Sequence, residues 1–187
     1  MGFNIGVWSD QTQNNADCYQ FIDRMFYNFV NSGEQYGDQS VLIQSGKYYR
    51  LDLSPFLKLV YTWDEVTPEY VQANIQNVDE LLQLVATFRD RVEQDRSVCD
   101  EISYVWYEEP LSMAEHEKES LIKEVGEEMA KPFFDMVEQR RKEVEENPNP
   151  WKWYFDEGQI IGDLNNLLKR LQCYKDKGVT EVYLTAG

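Results

Sequence analysis

The chain has 187 residues, 14% of them aromatic, and a formal net charge of −16. That length fits one domain able to bury roughly 70% of its unfolded surface, which with 42% hydrophobic residues argues against wholesale disorder. The charge repels nucleic-acid backbones and anionic lipid heads, and no apolar run approaches the about 18 residues that span a bilayer, so neither direct nucleic-acid binding nor membrane association is expected.

The opening MGFNIGVWSD lacks a basic region and an apolar core of signal-peptide type. Its segment 3–8 reads as a short first strand. Cys18, Phe21, Ile22, Met25, Phe26, Phe29 and Val30 then recur at helical spacing up to Gly33. Residues 40–53, rich in Val, Ile and Tyr around Ser45 and Gly46, predict two short strands in a hairpin. Ser54 and Pro55 can open a further helix, although the β-branched residues that follow leave this ambiguous. Thr67, Pro68 and Glu69 form the start of a long helix, with Val71, Ile75, Val78, Leu82, Val85, Phe88 and Val92 along one face.

Alternation over 101–110 predicts a strand that Pro110 stops. Ser112 and Glu115 suit a capping box for one helix to residue 146, kinked at Pro132 because its apolar stripe (Ile122, Val125, Met129, Phe133, Met136) stays in register. In NPNPWKWYFDEG, residues 147–158, the rings of Trp151, Trp153 and Phe155 alternate with Lys152 and Tyr154. An extended segment with one buried edge follows, stapling Phe155 onto Ile160 of a helix capped by Asp156. Residues 179–185 predict a last strand, edge-paired with the first. The fold class is therefore α+β: four to five amphipathic helices packed with a small, mostly antiparallel sheet of short strands, in a single domain over 1–187.

Cys18, Cys99 and Cys173 are odd in number and widely spaced, which predicts reduced, buried thiols in a cytoplasmic protein. His116 lies among glutamates and is expected in solvent, so no catalytic triad, zinc site or di-iron site can be assembled from the motifs present. Phosphate loops and calcium loops are also lacking, and no cofactor or metal is expected.

The charge is unevenly placed. Residues 61–110 carry twelve acids against three arginines (−9), 111–150 carry −5, and 151–187 balance at zero. An acidic centre over 61–150 thus precedes a neutral helix and strand over 156–187. Acid-rich inhibitors and bacterial immunity-type proteins use such a surface to dock a basic protein partner, with aromatic anchors supplying the energy. The expected contact residues are Asp64, Glu65, Glu69, Asp100, Glu101, Glu108 and Glu109, with Trp106 or Tyr107 as anchor and Trp151 and Trp153 as a second aromatic candidate. The alternatives are a carboxylate-based hydrolase, with or without Mg²⁺, beside Trp106, and a nucleic-acid mimic or scaffold subunit.

Overall fold

In a computed structural model of the chain, the backbone is described for residues 4–63, 66–104, 115–146 and 150–187. Contacts divide the chain into two compact units, Met1–Trp106 with Trp151–Gly187, and Tyr107–Pro150. The α+β class holds, with more helices than expected.

The first unit begins with β1 (Ile5–Trp8) and a turn of 3₁₀ helix at Asn15–Cys18. The chain then runs without helix to Asp23, whose carboxylate accepts from Met25 N–H and caps α1 (Arg24–Tyr36). The helix expected from the stripe that begins at Cys18 therefore starts later. Phe21 is exposed because its segment lies along the last helix, with Asn166 Nδ2 donating to Phe21 O at 2.9 Å.

The expected hairpin over 40–53 is instead α2 (Val41–Tyr49). Ser40 caps it, accepting from Ile43 N–H, and Val41, Leu42, Ser45, Gly46 and Tyr49 are buried at helical intervals. The β-branched content misdirects the reading, since tertiary burial outweighs β propensity here. Gly46 is required: a Cβ there would come within 2.9 Å of Leu51 O.

A 3₁₀ turn at Ser54–Leu57 leads into β2 (Leu59–Tyr61). The long helix expected from Thr67 is split into α3 (Pro68–Asn74) and α4 (Val78–Gln94) by β3 (Gln76–Asn77). Asn77 causes the break. Its side chain accepts from Asp79 and Glu80 N–H as the cap of α4, while β3 pairs with the last strand. The unit continues through α5 (Val98–Glu101), so Glu101 ends a helix and residues 102–104 are not strand. The remainder of that expected strand lies outside the described residues.

In the second unit, α6 (Glu115–Val125) and α7 (Glu127–Glu146) meet at Gly126, whose φ of 85° breaks the helix. Pro132 sits inside α7, so the kink expected there falls six residues earlier. Met129, Phe133 and Met136 are exposed rather than buried. The unit's described elements are these two helices alone, too few to cover that stripe. His116 is exposed as expected, and Ser112 lies outside the described residues.

The first unit then resumes with α8 (Pro150–Asp156), α9 (Gln159–Asp176) and β4 (Glu181–Ala186). The aromatic run is helical, not extended. Trp151, Tyr154 and Phe155 are buried at i, i+3 and i+4, whereas Trp153 is exposed. Asp156 ends α8, and Gly158, at φ 73°, occupies the cap position of α9. Strand β4 is central. It pairs antiparallel with β1 and β3 and parallel with β2, so two of the three pairings are antiparallel. The first and last strands pair as expected, but the last is not an edge.

Phe26, Phe29, Phe56 and Phe88 centre the core, with Phe29 stacked on Phe88 at 6.0 Å. Each fully buried ring of this size contributes about 1.5–3 kcal/mol. Two polar ties anchor α9 to that core. Asp163, only 5% exposed, accepts from Asp23 N–H and from the Tyr154 hydroxyl, both at 2.7 Å. Tyr174 donates to Val7 O at 2.7 Å.

The reduced thiols expected at Cys18 and Cys173 are instead joined in a disulfide across 155 residues. Sequence distance misleads because the N-terminal segment folds back onto α9. Cys99 alone is free, and buried. No helix among the described residues is long and apolar enough to cross a membrane.

Two measurements test these ties. Denatured, unreduced protein should present one reactive thiol, and replacing Cys18 and Cys173 together by Ser should cost about 2–5 kcal/mol in urea unfolding. Three reactive thiols would rule the bond out. Burial raises the Asp163 carboxyl above the usual range, against the pull of its two hydrogen bonds. The folded state thus holds that proton more tightly than the unfolded one, so the group's contribution is full below about pH 4 and falls as pH rises through its folded pKa. Asp163→Asn should be destabilising at acidic pH by about 1–3 kcal/mol, and the gap to wild type should narrow with rising pH.

Candidate functional site

Helices α5 and α8 bring two of the expected acids to the exposed member of the aromatic run. The position of α5 is set from beneath by the buried Val98 and Cys99. From the side it is set by Asp95, which ends α4. Asp95 Oδ2 accepts from the Tyr48 hydroxyl at 2.5 Å, and Oδ1 accepts from Ser97 N–H at 3.0 Å and its hydroxyl at 2.7 Å. The Tyr48 hydroxyl, followed by Ser97, holds the Asp95 carboxyl below the usual range. Burial pushes the neighbouring Cys99 thiol up to about 12, which makes it a poor nucleophile.

Helix α8 packs Trp151 and Phe155 against Phe29, at 6.2 and 5.8 Å between ring centres. With that face committed to the core, helical geometry turns Trp153 outward, where it is 50% exposed. Lys152 links the two helices, reaching Asp100 Oδ1 at 2.5 Å and Asp156 Oδ2 at 3.6 Å. The hydrogen bond to Asp100 is the main reason its ammonium pKa is raised. Arg96 Nη1 donates to Asp156 O at 3.2 Å.

Lys152, next to Trp153 in the chain, thus gathers Asp100 and Asp156, with Glu101 following Asp100 on α5 and Glu157 following Asp156; all four acids are exposed. Glu157 lies one helical turn beyond Trp153 and donates its N–H to Trp153 O. Chemically, an amphipathic ring with carboxylates nearby can take a cationic side chain by ring stacking and ion pairing together.

Of the other expected residues, Glu69 stands apart in the first turn of α3. That helix is fixed to β2 by the Tyr70 hydroxyl, which donates to Leu59 O at 3.0 Å. Trp151 is a core residue. Asp64, Glu65, Trp106, Tyr107, Glu108 and Glu109 lie outside the described residues. Among the described residues no group of three or more His, Cys, Asp or Glu side chains is arranged to hold a metal ion.

The sequence reading missed the parts played by Lys152, Asp156 and Glu157, although the i, i+4 spacing of Lys152 and Asp156 was visible. It also missed a second feature. Arg170 is only 4% exposed and lines a cleft of about 250 Å³ walled by β1, the Tyr19–Ile22 segment and α9. The signal was its position on the apolar face of α9, three residues after Leu167 and four before Tyr174. No family model matches the chain, and neither does any curated protein or solved structure.

Proposed function

We propose that the protein is a binding module that docks a basic protein partner, with Trp153 as anchor and Asp100, Glu101, Asp156 and Glu157 as the charged rim. The observation that carries this reading is the exposed Trp153 ring on a helix whose neighbouring Lys152 binds the carboxylates of Asp100 and Asp156. A tryptophan whose neighbours at i−2, i+1 and i+2 are buried is oriented before any partner arrives, so little ordering entropy is lost on binding. Surface tryptophans are also the residues most enriched among binding hot spots. The net negative rim and the −16 of the whole chain steer cationic surfaces toward it. An inhibitor or immunity-type role follows as the biological form of such binding. The acids at 64–65 and 108–109 would extend the same function.

The compartment belongs to this proposal as well. A cytoplasmic location requires the Cys18–Cys173 bond to persist among cellular reductants, whereas such bonds are maintained in oxidising compartments. The bond favours an oxidising location for the module.

Calorimetric titration with an arginine-rich peptide tests the surface. Trp153→Ala should weaken binding about tenfold or more, and joint Glu101→Lys and Glu157→Lys substitution should weaken it and flatten its salt dependence. All three side chains are exposed, so the far-ultraviolet spectrum should be unchanged. Equal affinity across these variants would exclude the surface.

A further inference from the structure

We propose that the Arg170 cleft is a second binding site, independent of the acidic surface, for a small carboxylate with an apolar or aromatic body. Arg170 is buried, and its Nε has no hydrogen-bond partner. Nη1 reaches Gln20 O only at 3.5 Å, at the limit of a hydrogen bond. Among the described residues no carboxylate lies within ion-pairing distance of it, although the chain has 34 Asp and Glu. Among the described residues lining the cleft there is no Asp or Glu side chain, and Arg170 carries the one cationic side chain. Burial lowers the guanidinium pKa, but an arginine stays charged at any physiological pH. A buried cation partnered only by the neutral Tyr174 hydroxyl, the Tyr19 ring and a long bond to Gln20 O is costly in a folded protein unless an anion completes it.

The other walls define the anion. A single guanidinium suits a monoanion rather than a phosphate dianion. Ile5, Ile22 and Trp8 offer apolar and aromatic surface for a body of modest size in about 250 Å³. Gly6 keeps the floor open, since a Cβ there would collide with Thr185 Oγ1.

Tyr19 controls access. Arg170 Nε is shielded from solvent, and the Tyr19 ring lies over the guanidinium with Cζ 5.3 Å from its centre. That ring is 58% exposed, so rotating it aside sacrifices little packing. The carboxylate then replaces a cation–π contact with a charge-assisted hydrogen bond, the stronger interaction.

The test is a titration of the full chain with phenylacetate, followed by ¹⁵N-edited NMR of the arginine Nε–H groups. One arginine signal should shift saturably, and the same signal should be missing in Arg170→Lys. Phenylacetamide and inorganic phosphate should bind at least about tenfold more weakly, as expected when a charge-assisted bond or the apolar contact is lost. Tyr19→Ala, at an exposed position that leaves the fold intact, should tighten phenylacetate binding about threefold or more by removing the competing ring. The site is overturned if no arginine Nε responds, if the amide or phosphate matches the acid, or if Tyr19→Ala binds no more tightly. The amide, phosphate and Tyr19→Ala comparisons decide the matter even if Arg170→Lys fails to fold.

Discussion

The buried carboxylate of Asp163 is the constraint on which both surfaces depend. One of its oxygens takes the N–H of Asp23 and the other takes the hydroxyl of Tyr154. The first bond fixes where α1 starts and therefore where the Tyr19–Ile22 segment must run. The second fixes α8, one residue from Trp153. A charged group inside a core of Phe and Leu is tolerated only because both oxygens are satisfied, and its raised pKa shows that the compensation is incomplete. The same α9 carries Arg170 and Cys173, so one helix positions the cleft, the disulfide and the joint to α8.

The two surfaces follow opposite electrostatic logic. Around Trp153 the charges are exposed, screened by solvent and partly paired through Lys152, so in the proposed docking they would govern approach and partner choice more than binding strength. Around Arg170 a single charge is removed from water, where each missing or added partner is felt strongly. A chain with net charge −16 repels anions at long range. An anion site on it must therefore be buried and walled by neutral residues, as the Arg170 cleft is.

What the sequence conveyed depended on whether one period governed a segment. The Thr67 cap, the α4 stripe from Val78 to Val92 and the last strand were legible because local chemistry and burial agree there. Residues 41–49 were misread because Val, Ile and Tyr carry β propensity while their burial follows a helix. The aromatic run misleads for a related reason: alternation over five residues fits a strand and puts Tyr154 on the wrong face. Gly126 and Asn77 broke helices through single-residue backbone preferences that a stripe in register conceals. The Cys18–Cys173 bond was invisible because sequence separation sets no lower limit on distance in space.

The site residues divide along the same line. Asp100 and Glu101 could be named from composition, since exposed acids near aromatic residues are plain in a sequence. Their union with Trp153 could not, because it depends on Lys152 reaching from α8 to α5, 52 residues away. Arg170 was hidden by the opposite cause. Its neighbours Leu167, Leu171 and Tyr174 announce a buried helix face, and a cation late in a helix reads as a favourable partner of the helix dipole. A dipole partner near a helix end sits in solvent, however, whereas Arg170 lies on the inward stripe. A cation on the apolar face of a helix, in a chain with acids to spare and none among the described residues paired with it, is better read as an unfilled site than as a capping charge.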